Sequence, residues 1–318
     1  MTLFLQLDFA ALLAAVMACL ACGLLGNLLL LTRQSLLGDA VSHAVLPGLV
    51  LGFAVTGTRA TLPMVLGAMV AAVAAALLIA LVRRLARLEA GAAMGVVFSG
   101  FFALGLVMME LTGARAVDLD VDCVLYGQLE ALIWPAATGP ASLLDPAALA
   151  ELPVETRILA GVLALVVAGL ALLWKELRLV AFDPGFAASI GFAPRRISLV
   201  VLVLVSVACV AAFWAVGSIL VIAALVAPPA IARLLTDDYR RQFLFSALAA
   251  LAMGGGGHGA AIGVPALLGL EFGLNAAGMM AVVAALMLAA AWTASPLRRR
   301  VNSATASPRD LQPTASIR

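Results

Sequence analysis

Polar residues in this chain punctuate long apolar runs. Stretches free of Asp, Glu, Lys and Arg occupy residues 9–32, 60–82, 90–109, 158–174, 197–232, 242–270 and 272–297, and another begins after Asp39. About 20 such residues make a helix long enough to cross ~30 Å of hydrocarbon. The 36 residues from Ile197 to Ala232 would reach about 54 Å as one helix, so they predict two passes turning near the "WAVGS" of 214–218. The run 242–297 divides in the same way near 263–273, where Gly and Pro accumulate. The pattern predicts nine passes, roughly 9–31, 34–56, 60–82, 92–111, 158–175, 197–214, 217–235, 242–262 and 274–294. An eight-pass alternative makes 217–235 re-entrant. Either way the fold class is all-α: a polytopic membrane protein of eight or nine transmembrane helices.

Charge tests the count. With nine alternating passes, sixteen basic residues (Arg33, Arg83, Arg84, Arg87, Lys175, Arg178, Arg195, Arg196, Arg233, Arg240, Arg241, Arg298, Arg299, Arg300, Arg309 and Arg318) fall on one side, and only Arg59, Arg115 and Arg157 on the other. Cytoplasmic loops carry such an excess, so that side is expected to be cytoplasmic, the C-terminus with it. The long loop 112–157 is then external. It holds Asp118, Asp120 and Asp122, which read equally as an acidic mouth attracting cations, a solvated loop or a docking surface. Residues 1–295 form the transmembrane domain, and the polar tail 296–318 is expected to be disordered. The first run is too long for a signal-peptide core and reads as a retained span.

Composition agrees, with 64% hydrophobic and 11% charged residues against about 25% charged in soluble chains. The net charge of +2 gives no reason to expect a nucleic-acid partner. Cys19 and Cys22 form a C-x-x-C inside an apolar helix and read as buried packing residues rather than a redox or metal pair.

Chemistry concentrates in "SLLGDAVSHAVLPG", 35–48. Asp39 and His43 are one helical turn apart and share a face, with His43 about 13 Å into the second pass. Pro47 has no N–H to give to the His43 carbonyl. A carboxylate, an imidazole and a loosened carbonyl suit Mn²⁺, Fe²⁺ or Zn²⁺, and an intramembrane acid is a functional signal. Geometry leaves open a structural Asp–His bond between helices, and two groups cannot complete a coordination shell. Pro228 and Pro229 inside a pass predict a broken helix lining a substrate cavity or a kink at a helix interface. His258 follows "MGGGG"; four glycines predict a flexible or tightly packed bend, with a second metal contact as the sharper possibility.

"LLGDAVSHAVLPGLVLGF" resembles the signature of the membrane permeases of metal-type ABC importers, which move zinc, manganese and iron. Further blocks resemble that family in order: "GVVFSGFFALGLVMM" (95–109), "VDLDVDCVLYGQLEAL" (117–132), "KELRLVAFDPGFAASIGF" (175–192) and "VGSILVIAALVAPPAIARLLTD" (216–237), together covering about residues 10 to 295. The resemblance implies that Asp39 and His43 contact the metal on the translocation path, with broken helices around a central path at a dimer interface. It also implies a second permease, identical or not, a cytoplasmic ATP-binding subunit, an extracytoplasmic metal-binding protein and a place in the bacterial plasma membrane.

The chain has no Gly-Lys dipeptide, so it carries no G-x-x-x-x-G-K-[ST] phosphate loop. ATP hydrolysis is expected on a separate chain, and this one is expected to bind no cofactor and to be no enzyme. "DPGFAASIG" reads as a short capped helix, with Asp183 as N-cap, Pro184 in the first turn and Gly191 as terminator. Presenting Phe186 and Ile190, it suits coupling to the ATPase; lying on membrane lipid headgroups is the plainer reading. Manganese is the first expectation for the ion, because oxygen and imidazole without sulfur suit it, with zinc or iron next. The alternatives are a proton-coupled secondary metal transporter and an ABC permease for a metal chelate or vitamin.

Overall fold

The computed structural model describes residues 2–34, 37–58, 61–112, 127, 129–269 and 273–295, with the side chains of Thr2, Asp39 and Ser42 outside that description. The acidic stretch of Asp118, Asp120 and Asp122 and the tail 296–318 lie outside the described residues.

The described chain is helical throughout. Helix α1 (Thr2–Leu7) leads into α2 (Phe9–Leu31), α3 (Leu37–Thr56), α4 (Thr61–Ala86) and α5 (Ala90–Leu111). After two 3₁₀ turns come α6 (Pro146–Ala150), α7 (Val154–Leu172), α8 (Trp174–Phe182) and α9 (Pro184–Ser189). The chain closes with α10 (Pro194–Val216), α11 (Ser218–Leu235), α12 (Tyr239–Leu268) and α13 (Ala276–Ala294). Among the described residues eight helices (α2, α4, α5, α7, α10, α11, α12 and α13) are long and apolar enough to cross a membrane, and α3 adds the shorter apolar stretch His43–Thr56. Each of the nine predicted passes falls on one helix.

Helices α2 and α10 are the most enclosed, and α5, α7 and α13 the least. α2 packs on α7, α10, α11 and α12, while α3 lies between α4 and α5. Close approach depends on glycine: a Cβ on Gly48 of α3 would overlap Gly67 and Ala68 of α4, and one on Gly105 of α5 would crowd Pro47. Small residues let helices approach in lipid, where van der Waals packing rather than hydrophobic exclusion drives association.

Two expectations about irregular backbone need correction. The helix break falls at Gly217 (φ 80°), inside the expected turn, but α11 runs unbroken through Pro228 and Pro229. The glycine run does not interrupt the helix; α12 is continuous from Tyr239 to Leu268. The reason is packing on two sides. A Cβ on Gly254 would press on the Val16 backbone of α2, and one on Gly257 would overlap Met280 of α13. Intrinsic helix weakness is offset where neighbours need bare backbone.

A buried polar knot joins α2 to α12. Asn27 donates through Nδ2 to the Gly23 carbonyl (2.9 Å) and accepts at Oδ1 from Gln242 Nε2 (3.2 Å). Ser246 Oγ donates to the same Gly23 carbonyl (2.9 Å). Nothing in the apolar pattern announced this contact, which spans more than 200 residues of chain.

Candidate functional site

Asp39 and His43 both lie on α3, one turn apart along a continuous helix that runs through Pro47. The Asp39 side chain is outside the description. The His43 ring is half-buried and meets α5 edge-on, 4.4 Å from the Phe98 ring and 5.8 Å from Phe102, measured between centroids. Phe98 and Phe102 sit four apart on one face of α5, the spacing that could have pointed to them. Their rings fix one flank of the imidazole. Three cavities near α8 and α9, of about 40, 740 and 560 Å³, are not lined by His43. Among the described residues, no three His, Cys, Asp or Glu side chains gather closely enough to hold a metal ion.

His258 is buried on α12, and neither ring nitrogen has a hydrogen-bond partner among the described residues. Its helix packs on α2, α11 and α13, a different set from the neighbours of α3. Pro228 and Pro229 are buried against α2, where Gly23 and Gly26 receive them. Proline at 229 leaves the Leu225 carbonyl without its helical donor, and it is this carbonyl that a Cβ on Gly26 would strike. Cys19, Cys22 and Cys209 are free, buried thiols.

At one end of the molecule, Gly127 and the segment 129–150 pack against helix ends. Gly127 (φ 74°) lies against Val216 and Gly217, at the break between α10 and α11. Trp134 is fully buried, donates through Nε1 to the Ala148 carbonyl (2.9 Å) and is tied through its backbone N–H to Gln6 (2.7 Å). Glu130 accepts from the Ala276 backbone N–H (3.2 Å) at the start of α13, whose N-cap is Asn275. The Asn275 side chain accepts from the Gly278 N–H (2.8 Å), while its Nδ2 meets Glu130 at 3.4 Å across more than 140 residues of chain.

The opposite end carries the short helix. Asp183 caps α9, its Oδ1 accepting from the Phe186 N–H at 2.8 Å. Pro184 stands at the first helical position, and Gly191 reverses the chain with φ 93°. Phe186 and Ile190 are about half exposed, at 53% and 50%. The preceding α8 is anchored by an aromatic cluster: Trp174 packs on Tyr239 and Phe243 at 5.0 Å each, and Phe182 on Tyr239 at 5.9 Å. Thus a capped helix with two exposed apolar side chains follows directly on α8, which is fastened to the start of α12.

The model of the ABC 3 transport family matches residues 5–133 and 153–295. The manganese transport system membrane protein MntD of Bacillus subtilis (strain 168) is 33% identical over 285 residues, 88% of this chain and 90% of its own length. The zinc transport system membrane protein TroD of Treponema pallidum (strain Nichols) is 36% identical over 221 residues, 68% of this chain and 56% of its own. Among solved structures, PsaBC from Streptococcus pneumoniae in complex with Fab superposes with a TM-score of 0.71 at 23% identity, covering 93% of this chain and 94% of that one. At that identity the likeness speaks to the fold.

Proposed function

Since the chain belongs to the ABC 3 transport family, we propose that it is the permease subunit through which a divalent transition metal enters the cytoplasm, manganese first and zinc or iron next. The matched relatives are named for manganese and zinc. The observation that carries the reading, beyond family membership, is the capped helix α9 with its exposed Phe186 and Ile190. A chain without a phosphate loop needs such a surface to receive work from an ATP-binding subunit.

In this mechanism an extracytoplasmic binding protein delivers the ion to the end that carries the segment 129–150. Asp39 and His43 take it inside the membrane, the carboxylate supplying charge and the imidazole a nitrogen ligand. Phe98 and Phe102 hold the imidazole in place. Other ligands come from water or a second permease, consistent with the lack of a three-residue cluster among the described residues of one chain. Closure of the ATPases moves α9, and the Trp174–Tyr239–Phe243 cluster passes that motion to α12 and so to α2.

The test is metal uptake by vesicles holding this chain with its ATP-binding subunit and binding protein. His43→Ala and Asp39→Ala are expected to abolish ATP-dependent manganese uptake with the assembled complex intact. Normal uptake by both variants would sink the assignment of the pair. Uptake driven by a proton gradient without ATP would establish the secondary transporter instead, and uptake of a chelate alone the chelate permease.

A further inference from the structure

Arginines far apart in sequence meet at the end of the bundle that carries α9. Arg83, Arg84 and Arg87 come from the end of α4 and its exit, and Arg195 from the first turn of α10; all four line one open groove of about 740 Å³. Among the described residues no carboxylate lines it, and the ion pair Arg233 with Asp237 at 3.2 Å uses none of the four. Like charges repel, so four guanidinium groups around one space call for an anion. The α10 N-terminus opens onto the same space through Pro194 and Arg195, adding the partial positive charge of a long helix. Arg87 lines the groove from a left-handed backbone conformation (φ 54°), which side chains of its kind seldom adopt.

The rest of the lining says what kind of anion. Ile79, Leu88, Val180, Leu199 and Leu202 make one wall apolar. At Thr32, Gln34 and Ser198 the groove adjoins a narrower cleft of about 40 Å³ bounded by Leu28, Leu177 and Val201 among others. A small hydrophilic anion gains nothing from such walls. A molecule with a phosphate at one end and hydrocarbon at the other matches both, and the groove sits at the ends of membrane-spanning helices where such molecules lie. Guanidinium forks suit phosphate oxygens, and the volume falls within the usual range of ligand sites.

We propose that this groove is a binding site for the headgroup of an anionic phospholipid, held by Arg83, Arg84, Arg87 and Arg195. Pro184, the first residue of α9, stands on its rim, so the bound headgroup braces the base of the short helix. The site would exist whatever the transported ion.

The experiment uses the full-length chain in phosphatidylcholine vesicles with a trace of spin-labelled phosphatidylglycerol or spin-labelled phosphatidylcholine. Electron paramagnetic resonance reads the fraction of label immobilised by protein. Phosphatidylglycerol is expected to be selectively immobilised. Arg83→Gln with Arg195→Gln should lower that selectivity at least about fivefold, the effect of losing about one net hydrogen bond to the headgroup. Arg83→Lys with Arg195→Lys should keep most of it, which separates lost charge from lost fold. Arg240→Gln with Arg241→Gln, on exposed arginines outside the groove, should leave it unchanged. Equal immobilisation of both lipids, or equal loss in the Arg240 and Arg241 variant, would overturn the site. Displacement of the labelled lipid by millimolar inorganic phosphate would make the groove a free-phosphate site and overturn the lipid assignment.

Discussion

Replacing Asp183 tests the short helix where its stability is most exposed. Six residues form α9, whereas isolated helices shorter than about 12–15 residues are marginal in water. Its definition rests on three local devices: the Asp183 cap, Pro184 in the first turn and the left-handed Gly191. Asp183→Ala removes the acceptor of the 2.8 Å bond from the Phe186 N–H. Because that bond is exposed, water replaces part of it, and the loss should be about 1 kcal/mol rather than the 2 kcal/mol of the strongest caps. At ~1.4 kcal/mol per factor of ten, the ratio of formed to unwound helix falls about fivefold. Asp183→Asn keeps the cap, since the two side chains rank equally at this position. Amide hydrogen exchange across 184–190 should quicken about fivefold in the alanine variant and stay unchanged in the asparagine variant. Metal moved per ATP hydrolysed in the reconstituted complex should fall with it. Unchanged exchange in Asp183→Ala would refute the capping argument. Faster exchange with undiminished transport would refute the coupling role.

Other consequences are equally specific. In the polar knot, Asn27→Ala and Gln242→Met each strand a partner, whereas the double variant strands neither, so a double-mutant cycle on unfolding free energy should show coupling of about 0.6 kcal/mol. Strict additivity would mean that the 3.2 Å bond carries no energy. Within the glycine run, positions 255 and 256 have open space where a Cβ would go, while 254 and 257 do not. Gly255→Ala and Gly256→Ala should therefore raise thermal stability by about 0.5–1 kcal/mol each, and Gly257→Ala should lower it through contact with Met280, all read by melting in detergent. Trp174→Ala dissolves the contacts to Tyr239 and Phe243, and should leave ATP hydrolysis running while metal uptake drops. Loss of both together would show that the cluster holds the fold rather than passing on motion.

The features legible in the residues are those written within one or two turns of chain. The nine predicted passes fall on nine helices, eight of them long and apolar enough to span among the described residues, because apolar length and the self-sufficient hydrogen bonding of a helix are local properties. Asp183, Pro184 and Gly191 announced α9 for the same reason: cap, fixed φ and positive φ are each satisfied by the next few residues. The one-turn spacing of Asp39 and His43 was readable too, but not that phenyl rings from α5 would flank the imidazole.

Only the tertiary structure decided how irregular sequence would behave. Four consecutive glycines are poor helix formers, yet α2 and α13 press against two of them and the helix continues through all four. Two adjacent prolines promised a break or a kink, yet Gly23 and Gly26 of α2 accept their shape, the helix continues through them and the break falls at Gly217. Asn27 finds Gln242, and Arg195 joins Arg83, across separations that no periodicity encodes. Propensity speaks for isolated segments, whereas in a packed membrane bundle the neighbour across the interface sets how close a backbone comes and which polar atoms meet.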